Sequence, residues 1–299
     1  MGRGYYYLIS SLPELSLNDK DLEFNMVSYR DFVAEHLEGH DLKLLRILYY
    51  RYDILNLVNL IKESDAPWHE AGNYSREQLT EMMGLPDTMP RFMRQLSEDT
   101  RKRWGVLSRK ELINRATSFL IDWSESIGNQ FLRKWLRFDY NLKNLLIWLN
   151  SHKFGLDPTS EVLGNMFEAE YLRATRYDEI DLKAWDFRYR EVMTQFDNPN
   201  IAIREFVIDE MRWQFLSELE ENYQFGIERL LAFAIRLQII NRNIVNTEEE
   251  GKRQLLSLLE NIREGYEMPE NFAAVPTYSR EESAGLVELI DEETKEINA

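Results

Sequence analysis

The sequence predicts an all-α fold, on three observations. Apolar residues recur at helical spacing from about residue 25 onward, alternating strand patterns are nearly absent, and helix-start signals recur along the chain. Ser75 with Gln78, Ser108 with Glu111, and Thr247 with Glu250 each fit a capping box, in which a hydroxyl and an amide or acid satisfy the free N–H groups of a first turn. Asn198 before Pro199 fits an N-cap followed by proline.

Taken in order, Tyr5 to Ile9 reads as a short extended segment, ended by Pro13. Leu42 to Ile61, Phe131 to Leu149 and Phe225 to Ile240 are apolar on nearly every face, which predicts helices at the centre of a bundle. Loops are expected at Asp65 to Asn73, Gly84 to Pro90 and Gly155 to Pro158, where special backbone residues meet polar ones. From Pro269 the periodicity fades, and in SREESAGLVELIDEETKEINA acids greatly outnumber bases. A mobile tail over 270–299 is expected, with a short helix at Leu286 to Ile290 that orders on a partner.

NLVNLI at Asn56 to Ile61, NLKNLL at Asn141 to Leu146 and GIERLL at Gly226 to Leu231 are spaced 85 residues apart. That spacing predicts three related helical lobes, over 1–95, 96–185 and 186–269, with Asn56, Asn141 and Gly226 at equivalent places.

A formal charge of −16 repels phosphate backbones and anionic headgroups, so nucleic acid is a poor partner. Arg91, Arg94, Arg101, Lys102, Arg103, Arg109 and Lys110 form a local basic cluster, read as a solvated helix face or a docking patch for an acidic partner. There is no cysteine, and hence no disulfide, catalytic thiolate or sulfur-bound zinc. No apolar run approaches the ~18 residues of a membrane span, and the N-terminal one is too short for a signal peptide. A cytoplasmic location is expected, with any membrane association through a partner.

Chemical motifs are sparse. The phosphate-cradling GxxxxGK[ST] loop and the Glu-x-x-His pairs of di-iron bundles do not occur. His36 and His40 stand at i,i+4 with Glu35, Glu38 and Asp41 nearby, a spacing open to metal binding but interrupted by Gly39; the plainer reading is a polar helix C-terminus. His69 and His152 are expected at the surface. Asp53 and Asp139 end the triplets RYD and RFD inside apolar helices, where a carboxylate needs a partner, expected to be an ion pair or a helix-terminus contact. Asn56, Asn59, Asn141 and Asn144, at i,i+3 on two central helices, either pack between helices or line a polar cavity.

QFGIERLLAFAIRLQIINRN, Gln224 to Asn243, resembles the C-terminal signature of the C/d family of V-type ATPase central-stalk proteins, matched at Phe225, Gly226, Ile227, Glu228, Arg242 and Asn243. The N-terminal half looks more like a bacterial family encoded beside V-type ATPase genes. Four departures stand out: Arg229 for a proline, Phe233 for a tyrosine, Leu237-Gln238 for a Lys-Glu pair, and Ile240 for a glutamate. The resemblance implies a funnel of three helical lobes. It further implies a non-catalytic central-stalk component that joins the axle to the proteolipid ring of a proton or sodium V-type ATPase, with no cofactor. Asn56, Asn59, Asn141, Asn144, Arg229, Arg242 and Asn243 are the candidates for a polar cavity or interface. The alternatives are an assembly or regulatory factor of that ATPase, and a helical metal hydrolase built on His36 and His40.

Overall fold

The computed structural model describes residues 5–19, 22, 25–100, 105–183, 185–198 and 200–245, without the side chains of 99, 100, 201, 202 and 243–245. The described residues fall within one compact unit. The Thr247–Glu250 box and the expected tail lie outside the described residues.

The fold is all-α. Its helices are α1 (Tyr6–Ser10), α2 (Met26–Ala34), α3 (Gly39–Ile47), α4 (Tyr50–Ile61), α5 (Arg76–Gly84), α6 (Arg91–Thr100), α7 (Arg109–Ser124), α8 (Gln130–Phe154), α9 (Pro158–Glu161), α10 (Phe167–Ala174), α11 (Phe187–Gln195), α12 (Ile201–Glu220) and α13 (Ile227–Val245). Single 3-10 turns follow α5 at Pro86–Thr88 and α10 at Tyr177–Glu179, and no strand occurs among the described residues. The boxes at Ser75 and Ser108 form, each with its reciprocal side-chain bond, and begin α5 and α7.

Three local expectations change. Tyr5 to Ile9 is not extended: a short apolar run has no period that separates strand from helix, and here Ile9 N–H donates to Tyr5 O at 2.9 Å while Tyr5 N–H reaches Phe225 O at 2.9 Å. The helix near Asn198 starts later, because Asn200 caps α12 by accepting from Ile203 N–H at 3.2 Å, and Asn198 instead accepts from Asn200 N–H at 3.0 Å. His40 opens α3 rather than closing α2, since Gly39 at φ 55° turns the chain into a new helix.

The 25-residue α8 is the hub. Asn129 caps its start by accepting from Leu132 N–H at 2.9 Å, and Gly155 at φ 66° closes its end in the left-handed region, where a side chain would be strained. It packs on α7 and on α9 through α13; α13 in turn packs on α2, α3 and α12. Trp148, Phe131, Tyr29, Tyr49 and Phe92 are fully buried, each burial contributing roughly 1.5–3 kcal/mol. The buried tyrosines keep partners: Tyr29 Oη donates to Leu230 O at 2.8 Å and Tyr189 Oη to Phe138 O at 3.1 Å, joining α2 to α13 and α11 to α8.

Candidate functional site

Two loops are held by the same residue types. In the α4–α5 loop, Asn73 N–H donates to Asp53 Oδ1 at 2.6 Å and Asn73 Nδ2 to Asp53 Oδ2 at 2.5 Å. In the loop before α10, Asn165 N–H donates to Asp122 Oδ1 at 2.6 Å and Asn165 Nδ2 to Asp122 Oδ2 at 2.7 Å. Arg30 donates to the carbonyls of Glu70 and Gly72, and Arg173 to those of Val162 and Gly164. Asn56 then binds the backbone of His69 in both directions, at 3.0 and 2.9 Å, and Asn144 that of Leu163, at 2.8 and 2.9 Å. These amides satisfy loop backbone that burial would otherwise leave unpaired. By role, the counterpart of Asn56 is therefore Asn144, not Asn141, and that of Asp53 is Asp122 on α7, not Asp139.

The glycines are required by close approach. A Cβ on Gly72 would stand 2.8 Å from Asp53 Oδ1 and 2.9 Å from Asn56 Nδ2. One on Gly164, at φ 75°, would stand 2.6 Å from Ile121 Cγ2.

Asp139 has a different setting. It lines a cavity of about 350 Å³ walled by α4, α7, α8, α12 and α13 together with the α3–α4 corner. Arg51, Lys143, Arg212 and Arg242 reach the same cavity, with Gln238, Thr117 and Tyr140 as neutral polar groups. Arg212 Nε donates to Asp139 Oδ1 at 2.6 Å and its Nη1 to Asp209 Oδ1 at 3.1 Å; Arg242 also contacts the wholly buried Asp209. Burial pushes the Asp139 carboxyl up, but the Arg212 guanidinium beside it, with Arg242 and Arg51, outweighs that and holds it below the ordinary value. Burial pulls the Lys143 ammonium and the Arg242 guanidinium down. Lys143 is nonetheless reached by solvent, as expected for a group standing inside an open hollow.

The seven candidate residues do not converge. Arg242 lines the central cavity. Asn56 and Asn144 hold loops, and Asn59 accepts from Arg109 Nε at 3.1 Å and Nη2 at 3.0 Å. Asn141 lines a separate hollow with Arg137, Glu168 and Tyr189, its buried Oδ1 without a hydrogen-bond partner among the described residues. Arg229 pairs with the buried Glu220 at 2.6 Å. The Asn243 side chain lies outside the described residues.

In the basic cluster, Lys110 pairs with Glu161 at 2.8 Å and Arg94 with Asp87 at 3.5 Å; residues 101–103 lie outside the described residues. No group of three or more His, Asp or Glu set to hold a metal occurs among the described residues. Arg51, Lys143, Arg212 and Gln238 are cavity residues that spacing alone does not single out. The available signal is Asp139 and Lys143 at i,i+4 inside an otherwise apolar helix.

A family model described as protein of unknown function (DUF2764) matches residues 2–266. No curated protein and no solved structure matches the chain.

Proposed function

We propose that this chain, which belongs to the DUF2764 family of proteins of unknown function, is a non-catalytic coupling subunit of a V-type ATPase, joining the central axle to the proteolipid ring. The observation that carries this reading is the setting of Gln224 to Asn243, the segment that resembles the C/d central-stalk family. From Ile227 on it lies in α13, which packs on α2, α3, α8 and α12.

Each departure from the signature has a local account. Arg229 pairs with Glu220, and the Phe233 ring lies 4.7 Å from that of Tyr29. Leu237 and Ile240 are fully buried, and Gln238 Nε2 donates to Leu48 O at 3.2 Å. A closely packed helical body of this kind suits load transmission, because such interiors have low compressibility. No described helix is long and apolar enough to cross a membrane, so the proposed position at the ring, on the cytoplasmic side, is through protein partners.

The test is to rebuild the ATPase complex with and without this chain and to measure ATP hydrolysis and ion pumping together. Coupling requires pumping to collapse while hydrolysis by the detached motor survives. Unchanged pumping in a preparation verified to lack the protein rejects the reading and favours an assembly or regulatory factor.

A further inference from the structure

We infer that the cavity around Asp139 is a binding site for a compact multivalent oxyanion, a small molecule carrying two or more carboxylate or phosphate groups. Four cationic side chains converge on a space of about 350 Å³, within the size range of small-molecule sites. Among the described residues one carboxylate, Asp139, stands on its wall, and Arg212 already engages it at 2.6 Å. Asp209, behind the wall, is engaged by both Arg212 and Arg242, and Glu205 acts on Arg242 from the preceding turn of α12.

The remaining positive charge is not matched by carboxylates lining the cavity. The Lys143 ammonium has no hydrogen bond or ion pair among the described residues, and Arg242 Nε is buried without a hydrogen-bond partner. Among the described residues Arg51 donates only to the hydroxyl of its neighbour Tyr52, and it lies over that ring. Arg51 and Lys143 are reached by solvent, and like charges gathered around one hollow repel one another, a cost that a bound anion relieves.

The chemistry of the walls narrows the ligand. Lys143, Arg51 and Arg242 supply charge, and Thr117 and Tyr140 are neutral polar residues lining the same space. Trp135, Leu120 and Ile235 offer an apolar wall to a carbon skeleton. A chain with a net charge of −16 does not gather anions by its long-range field, so capture depends on short-range contacts. Such contacts favour a ligand with several oxyanion groups over chloride or acetate. The inference does not depend on the coupling role, and its test needs only the isolated full chain.

Titration calorimetry and thermal unfolding with citrate and with pyrophosphate, at constant ionic strength, test it. One-to-one saturable binding is expected for at least one probe, with Tm raised by roughly 5 °C at about 100 times Kd. A preference for citrate assigns a carboxylate ligand, and a preference for pyrophosphate a phosphate one. Lys143→Gln and Arg51→Gln should each weaken binding about tenfold or more, while Lys143→Arg stays within about threefold. Gln238→Glu should weaken binding too, by setting a tethered carboxylate among the cations. Because Lys143 makes no contact that folding needs, its variants keep the unliganded Tm within about 2 °C and remain interpretable. No saturable binding of either probe, or undiminished binding in the Lys143→Gln/Arg51→Gln double variant, would overturn the inference.

Discussion

Asn56 and Asn144 perform one task on different helices: each donates through Nδ2 to a main-chain carbonyl and accepts through Oδ1 from the N–H of the same residue, His69 for Asn56 and Leu163 for Asn144. Both side chains are almost wholly buried. Truncating either leaves a donor and an acceptor of the loop unmade, which costs more than the net value of a hydrogen bond. Asn56→Ala and Asn144→Ala should each destabilise the protein by about 2–4 kcal/mol, read as a lower urea midpoint at unchanged slope. The two sites share no partner, so the double variant should lose nearly the sum; a strongly sub-additive loss would show that the loops are coupled.

The two loop glycines fail on substitution for different reasons. In Gly72→Ala the new methyl meets Asp53 and Asn56, both pinned by their own hydrogen bonds and unable to yield. In Gly164→Ala it meets Ile121 while the backbone is held at φ 75°. Each should cost about 2–4 kcal/mol. Gly84, at the end of α5, has nothing within 4 Å of an added Cβ, so Gly84→Ala should raise stability by about 0.5–1 kcal/mol. A destabilising Gly84→Ala would mean that the end of α5 is crowded rather than open.

The contrast between these sites shows what local pattern carries and what it does not. The fold class and the caps at Ser75 and Ser108 are legible because each is settled within a few residues. The 85-residue spacing matches leucine rows but not roles, because the clamped residue lies 13 positions beyond Asn56 and 19 beyond Asn144. The task of Asp53 passes to Asp122 on a neighbouring helix, which leaves Asp139 free for the cavity. The cavity itself is invisible to spacing, since Arg51, Lys143, Arg212 and Arg242 meet only through the packing of four helices.

Glu220 is a buried acid that lies just outside the recognisable segment. It is 4% exposed and holds Arg229 at 2.6 Å and Arg236 at 2.5 Å, with Arg236 also lying over the Trp213 ring. Arg229 is well exposed and recovers water when its partner is lost, whereas Arg236 does not. Glu220→Ala should therefore cost about 2–3 kcal/mol, below the full value of a broken buried pair. Adding Arg236→Met should recover part of that loss, because it removes the stranded cation. No recovery would mean that Glu220 acts through packing alone.

The triplets RYD and RFD lead to opposite pH dependences. Burial pushes the Asp53 carboxyl from the ordinary 3.8 up to about 6, against the pull of its bonds from Asn73 and Tyr74 and of the Arg30 charge. Between those values the folded protein keeps a proton that the unfolded chain releases. At this site stability therefore falls as pH rises through that window, and is level above it. Asp139 has the reverse sign: held low by Arg212, it contributes stability that is present above the ordinary carboxylate range and is lost as pH falls through its own lower pKa. Asp53→Asn should flatten the profile between about pH 4 and 6 relative to the parent, by on the order of 2–3 kcal/mol across the window, while losing the bond from Asn73 Nδ2. Asp139→Asn should leave that window alone and remove part of the acid-side decline below about pH 4. Urea midpoints of the three proteins measured from about pH 3 to pH 8 decide the matter: a parent-like slope between pH 4 and 6 in Asp53→Asn would mean that water reaches the carboxylate and that Asn73 is not clamped in a dry site.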